Sequence, residues 1–142
     1  MALSQGQTTS FKVELLKAVH DFSASGGDVF KIALYNSSAA LDATTTVYTT
    51  TNEITGTNYT AGGNTLVNIE PAASGTTAVA DFQDTSWVNA TFTARGALIY
   101  NSSKGNKAVA VLDFGADKIA VAQTLTVQFP SPIGTAAIVS IA

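Results

Sequence analysis

The sequence predicts an all-β fold: an antiparallel β-sandwich or jelly roll with one short N-terminal amphipathic helix. Short segments rich in β-branched and aromatic residues recur after residue 28, with turn-forming residues between them. No helical segments alternate with these strands, as a parallel α/β sheet would require. The 142-residue length fits one domain. We therefore expect a single β-sandwich domain over residues 10–142, preceded by an extended arm over residues 1–9.

The helix is expected over Phe11–His20, with Ser10 as its cap. Phe11, Leu15 and Val19 recur at four-residue spacing, so they share one face of a helix. The glycine-rich segment that follows is a common way for such a helix to end. We expect the apolar face to pack against the sheet of the same chain.

The first strand is expected at residues 29–35, with Phe30, Ile32 and Leu34 on one face because alternate side chains of a strand share a face. Residues 39–64 are rich in Thr, Asn and Gly, and we expect a short helix or an edge strand there, near Val47–Ile54. Further strands are expected at Thr65–Ile69, Thr77–Phe82, Ala90–Ala94 continuing as Ala97–Tyr100, Lys107–Phe114, Gln123–Phe129 and Ala136–Ile141.

Two local features are predicted within these strands. Gly96 is expected to form a bulge, because glycine inside a strand often marks one. Ser102–Asn106 is expected to be a hairpin turn that joins two strands. We also expect the C-terminal strand to lie in the sheet of its own fold while the arm reaches a neighbouring subunit.

The composition indicates a surface that other proteins can cover. Only 12% of residues are charged, against about a quarter in an ordinary soluble domain. The chain has 20 threonines, 12 serines and 8 asparagines, and burying such groups costs less than burying ions. The net charge is −3 with scattered cations, so we expect no nucleic-acid partner. The apolar runs are too short for a membrane span, so we expect no membrane partner.

No catalytic, cofactor or metal site is expected, and the chain is predicted not to be an enzyme. His20 is the only histidine and it precedes Asp21, but no nucleophile elbow accompanies the pair. We interpret His20 as a cation favoured by the helix dipole. The chain has no cysteine and so no thiolate site. Four aspartates lack calcium-loop spacing and are interpreted as turn residues: Asp81, Asp84, Asp113 and Asp117.

Trp87 is the sole tryptophan, and it precedes a predicted strand. A lone aromatic residue there has three interpretations: an anchor for a protein partner, a sugar-binding platform beside Asp84 and Asn89, or core packing at the edge of the sandwich. Core packing is the favoured interpretation.

Four stretches, in this order and spacing, resemble small virion proteins of tailed double-stranded DNA bacteriophages. They are Phe30–Tyr35 (FKIALY), Tyr48–Gly63 (YTTTNEITGTNYTAGG), Ala94–Ser102 (ARGALIYNS) and Ala108–Gly115 (AVAVLDFG). The resemblance spans residues 11–129. Some proteins of this kind are cement or decoration proteins, which bind the outside of the assembled capsid.

The resemblance implies a jelly-roll β-sandwich and a stapling role, with no catalytic residues to carry over. The expected partners are the major capsid protein and a second or third copy of the chain, as a homodimer or homotrimer. The expected location is the capsid surface of the virion, after synthesis in the bacterial cytoplasm. The alternative is a carbohydrate- or receptor-binding module of a tail fibre or baseplate. The candidate partner contacts are Leu3, Gln5, Gln7, Thr8 and Trp87.

Overall fold

The computed structural model describes residues 3–130 and 137–141. The fold is all-β, with two antiparallel sheets and one short helix, which confirms the predicted class. One sheet has the order β1-β7-β6-β2-β3 and the other β4-β5-β8. Sheets of five and three strands do not confirm the jelly-roll arrangement of eight strands in two Greek keys. The elements are β1 Gly6–Gln7, α1 Thr9–Leu16, β2 Phe30–Tyr35, β3 Asn64–Thr65, β4 Asn68–Ser74, β5 Thr77–Phe82, β6 Thr85–Asn101, a 3-10 turn Ser102–Lys104, β7 Lys107–Val127 and β8 Val139–Ile141.

The centre of the large sheet is buried on both faces. The predicted face of β2, with Phe30, Ile32 and Leu34, belongs to the main core together with Phe82 of β5. The opposite face of the same sheet is covered by the N-terminal segment and by the loop before β3. That second core contains Leu3, Ala33, Tyr35, Ala39, Leu41, Leu98, Tyr100, Ala108 and Val111, with Tyr48 packed against it.

Strands β6 and β7 form one long hairpin, paired from Thr85 with Val127 to Asn101 with Lys107. The strand segments predicted on each side of Gly96 are therefore continuous. The register shift beside Gly96 confirms an irregularity there, but its extra residues, 114–117, lie on β7 opposite Arg95 of β6. The predicted turn between the two strands is also confirmed. We call residues 96–101 with 107–113 the body half of the hairpin, and residues 85–94 with 118–127 the ribbon.

The helix is shorter than predicted, and its predicted cap was wrong. The side chain of Thr8, not Ser10, accepts a hydrogen bond from the Phe11 N–H at the start of α1. The helix ends at Leu16 because Ala18 adopts a positive φ of 58°. The Ala18 and Val19 N–H groups then bond back to the carbonyls of residues 15 and 14, which is the Schellman arrangement.

The helix is also less amphipathic than predicted. Phe11 is buried and Leu15 is partly buried, but Leu16 is 91% exposed. The predicted stripe fails because Val19 lies beyond the helix end. Within the described residues, no helix is long and apolar enough to cross a membrane.

The prediction of a short helix or edge strand near Val47–Ile54 was wrong. The described structure has only isolated bridges in the loop before β3, from Tyr35 to Glu53, from Val47 to Lys107 and from Thr57 to Thr91. The predicted strand Thr65–Ile69 is divided between β3 and β4. Scattered backbone hydrogen bonds to the sheet, such as that from the Ile54 N–H to the Leu34 carbonyl, and side-chain hydrogen bonds therefore order this long loop without a continuous ladder.

Residues 3–8 of the arm are extended, as predicted, but they lie on their own domain. Gly6 and Gln7 pair with Val111 and Ala110 of β7, and the side chain of Leu3 is buried in the second core. For residues 3–9, the prediction that the arm reaches a neighbouring subunit was therefore wrong. The predicted terminal strand does join its own fold, since β8 pairs with β5. The predictions for residues 1, 2, 136 and 142 lie outside the described residues.

Candidate interaction surface

Most of the candidate partner contacts are unavailable to a partner. Leu3, Thr8 and Trp87 are buried in the fold of their own chain. Gln5 is exposed, and its Oε1 accepts a hydrogen bond from the Asp113 N–H at 3.0 Å. Gln7 is partly exposed at the edge of the large sheet. Local composition identifies residues that lack core periodicity, but it does not show which of them pair with the sheet or are buried against it.

Trp87 packs in the core, which confirms the favoured interpretation of this residue. Its ring lies 6.2 Å from that of Tyr59 and 6.4 Å from that of Phe92, measured between centroids. The exposed aromatic side chain that a sugar site beside Asp84 and Asn89 needs is therefore not at Trp87. This observation gives no support to the carbohydrate-binding alternative.

His20 links α1 to the end of β6 through two hydrogen bonds. Its Nε2 lies 2.9 Å from Glu14 Oε1, and its Nδ1 lies 2.9 Å from the amide nitrogen of Asn101. An amide nitrogen only donates, so Nδ1 is the acceptor and Nε2 carries the proton donated to Glu14. The interpretation of His20 through the helix dipole was wrong, because the residue lies beyond the end of α1 and contacts the ring of Phe11.

The same buried amide also holds Asp28. Asn101 Nδ2 donates to Asp28 Oδ2 at 2.8 Å, and Lys104 Nζ lies 3.0 Å from Asp28 Oδ1. Burial raises the pKa of Asp28, but the hydrogen bonds from Asn101, from the Asp21 N–H and from Lys104 outweigh it, so the pKa lies below its ordinary value. This cluster ties the segment after α1 to the hairpin turn.

A second polar cluster, which the sequence analysis missed, surrounds Glu53. Its carboxylate accepts hydrogen bonds from the hydroxyls of Tyr48 and Tyr59, both at 2.6 Å, and from the Gly62 N–H at 2.7 Å. The Tyr100 hydroxyl donates to the Gly62 carbonyl, and its ring stacks on that of Tyr48 with centroids 4.6 Å apart. The signal in the sequence was that Glu53 is the only charged residue from 43 to 69.

Burial around this cluster raises the pKa values of all four tyrosines of the chain. Desolvation, followed by the charge of Glu53, raises the pKa of Tyr100 to about 12. Desolvation is also the largest cause that raises the pKa values of Tyr35, Tyr48 and Tyr59. Neutral phenols that stack and donate to a carboxylate are structural groups. The Glu53 cluster therefore explains how a loop without a helix or strand covers the large sheet.

The interpretation of four aspartates as turn residues holds for Asp84, which lies between β5 and β6, but was wrong for Asp81, Asp113 and Asp117, which lie within β5 and β7. Asp84 Oδ1 accepts from the Phe129 N–H, and Asp113 and Asp117 each lie 3.7 Å from Arg95. Asp81 differs, because its Oδ1 is buried with no hydrogen-bond partner and desolvation raises its pKa. Across residues 3–130 and 137–141, no group of three His, Cys, Asp or Glu residues is arranged to hold a metal ion.

The ribbon is the surface that is best suited to a protein partner. Val88, Ile119 and Val121 are 60%, 66% and 65% exposed. Residues 119–127 carry no charge. The outer edge of β7, on the side away from β6, pairs with β1 only at Ala110 and Val111. From residue 112 to 127, no strand among the described residues lies beside this edge. An uncharged strand with exposed apolar side chains and an open edge is a surface that proteins use for pairing or docking.

Comparison of the chain with protein-family models, with curated proteins and with solved structures found no match.

Proposed function

We propose that the chain is a non-enzymatic virion protein of a tailed bacteriophage that binds the outside of the capsid and stabilises contacts between major capsid subunits. The proposal starts from the resemblance of residues 11–129 to small virion proteins. The observation that carries it further is the ribbon, whose exposed valine and isoleucine side chains lie on a strand pair without charge from residue 119 to 127.

The ribbon suits this role because its inner face is fastened to the body of the domain. Ala90, Phe92 and Ala120 are buried in the main core, while Val88 and Ile119 remain exposed. A surface held in place before binding loses little conformational entropy on association. Its threonine-rich surroundings cost less to desolvate than a charged surface of the same size.

The test is to add the purified protein to capsids that lack it and to measure binding and the temperature at which the particles open. The wild type should bind and raise that temperature. Val88→Asp places a charge on the exposed outer face of the ribbon, and it should weaken capsid binding at least about tenfold, or 1.4 kcal/mol. Val67→Asp is the matched control, since this valine is 53% exposed outside the ribbon.

Two outcomes would contradict the proposal. One is a particle whose thermal stability does not change when the protein is added. The other is imaging of labelled protein on the tail rather than on the capsid. If Val67→Asp weakened binding as much as Val88→Asp, the role of the ribbon in binding would be refuted.

A further inference from the structure

We propose that two copies of the chain pair edge to edge through β7, antiparallel, about a two-fold axis at Ala120. The contact would be made by residues 118–122 of each copy. This inference goes beyond the proposed function and does not depend on it, because the pairing is expected in solution without capsids.

The outer edge of β7 is the long edge that the described residues leave open, since Thr57, Asn58 and Asn64 already bond to the β6 edge of the ribbon. The opposite edge of the large sheet is β3, which has two residues. In the small sheet, β8 has three described residues, and β4 contains Pro71 and Glu70. Proline and charge are the usual means by which proteins protect an edge from pairing. Beyond Lys118, β7 has neither.

This edge is also complementary to itself. In an antiparallel pair centred on Ala120, residue 119 of one copy lies opposite residue 121 of the other. Ile119 and Val121, both about two-thirds exposed, would therefore meet twice on one face. Directly opposed β-branched side chains stabilise antiparallel pairs. Lys118 would lie opposite Ala122, and Asp117 opposite Gln123, so no like charges meet.

The neighbouring registers with the same hydrogen-bond pattern are less favourable. A pair centred on Lys118 sets two lysines directly opposite each other, which is destabilising. A pair centred on Ala122 places a residue with a φ of 50° at the axis, where an extended backbone is needed. The register at Ala120 keeps the two lysines apart and moves Ala122 from the axis to the end of the contact, opposite Lys118.

This pairing uses up the edge of each copy, so it forms a closed dimer rather than a filament or a trimer. The two ribbons would become one four-stranded sheet. Its outer face would carry Val88, Ile119 and Val121 from both copies, which doubles the apolar surface available to a further partner.

The first experiment is sedimentation velocity over a range of protein concentrations. The wild type should form dimers. The double variant Ile119→Lys/Val121→Lys should be monomeric, with a dissociation constant raised at least about 100-fold, and circular dichroism should show that it is folded. Val88→Lys is the matched control: the residue is exposed on β6 rather than on the edge, and this variant should still dimerise.

A second experiment tests the register through disulfides, since the chain has no cysteine of its own. Opposed residues of an antiparallel pair have Cα atoms about 4.5–5.5 Å apart, which a disulfide can span. A mixture of Ile119→Cys and Val121→Cys chains should cross-link between the two variants. Each variant alone should cross-link much less.

A wild type that is monomeric at all concentrations, or trimeric, would overturn the proposal. So would a double lysine variant that dimerises like the wild type, or a Val88→Lys variant that loses the dimer. Cross-linking that is as strong within each variant as in the mixture would refute the register. If the wild type is monomeric but the double lysine variant no longer binds capsids, the edge serves a different partner, and self-pairing is wrong while the proposed function stands.

Discussion

The two halves of the β6–β7 hairpin have the same backbone pairing but very different surroundings. In the body half, Leu98 and Ile99 point to opposite faces and both are fully buried. In the ribbon, Phe92 is buried while Ile119 and Val121 are exposed. The ladder between the strands runs through both halves. Strand pairing therefore decides that a segment is β, but the layers on each side decide whether its apolar face becomes core or interface.

The body half acquires its second layer from distant parts of the chain. β2 pairs with β6 only from Gly96 to Asn101, and the loop ordered by Glu53 covers the other face of that region. Fully burying one large apolar side chain contributes about 1.5–3 kcal/mol. The body half should therefore contribute more to stability per residue than the ribbon, which makes the comparison testable.

The largest expected effect is a loss of stability at alkaline pH, because the tyrosines over the body half must stay neutral. A raised pKa in the fold means that stability is fully present below the ordinary tyrosine pKa of about 10 and is lost as pH rises through the folded value, which is about 12 for Tyr100. Urea unfolding measured from pH 8 upward should show a steep decline above about pH 10. A flat profile would contradict the placement of the phenols.

Asn101→Ala should be the most damaging of the substitutions. Its side chain donates to His20 and Asp28 and accepts from the Ser103 N–H at the end of the body half. Removing it leaves buried groups without partners, and the free energy of unfolding should fall by about 3 kcal/mol. Chemical denaturation measures this. Ser86→Ala is the comparison in the ribbon, because the exposed Ser86 hydroxyl makes a hydrogen bond to the Thr126 hydroxyl. This substitution should lower the free energy of unfolding by less than about 0.5 kcal/mol.

Two glycine substitutions compare the tightness of packing in the body half with that at the junction between the two halves. At Gly96 an added Cβ would collide with the Leu3 side chain and lie 2.5 Å from the Leu112 carbonyl oxygen, so Gly96→Ala should cost about 2–3 kcal/mol. At Gly115, between the two halves, an added Cβ meets nothing within 4 Å and only the positive φ is unfavourable, so Gly115→Ala should cost about 1 kcal/mol. Thermal unfolding of both variants should preserve this order. Equal losses would show that packing at Gly96 is no tighter.

The smallest effect should be a gain in the ribbon. Ala122 has a φ of 50°, a conformation that costs an L-residue about 1–2 kcal/mol and that glycine adopts freely. Ala122→Gly should raise the free energy of unfolding by about 0.5 kcal/mol after the entropy of glycine is subtracted. Ala120→Gly is the control, since this buried neighbour does not have a positive φ and its replacement should destabilise the fold.

The features that could be predicted depend on short stretches of chain. The alternation of residues 30, 32 and 34, the strand Thr77–Phe82 and the turn between β6 and β7 were all correct. Each follows from the side chains of a few neighbouring residues. The end of the helix was missed because Ala18 takes the left-handed conformation that glycine usually takes, while His20 is held by Asn101, far away in sequence.

The candidate interaction surface was predicted less well than the fold. The arm residues and Trp87 were singled out because they are apolar or lack periodicity, yet Leu3, Thr8 and Trp87 are buried. Ile119 and Val121 lie in the gap between the predicted strands Lys107–Phe114 and Gln123–Phe129, which the structure joins into the single strand β7. Only the position of the ribbon beyond β2, with no described strand beside the outer edge of β7, exposes them.

The sequence by itself determined the all-β class, the faces of β2 and the turn between β6 and β7, because alternation and turn chemistry act between neighbouring residues. Only the tertiary structure decided which faces are covered, where the arm lies and how Glu53 orders the loop over the large sheet. Those outcomes depend on contacts between residues far apart in the chain. Whether an apolar side chain is buried or exposed depends on what else reaches it, and no local pattern contains that information.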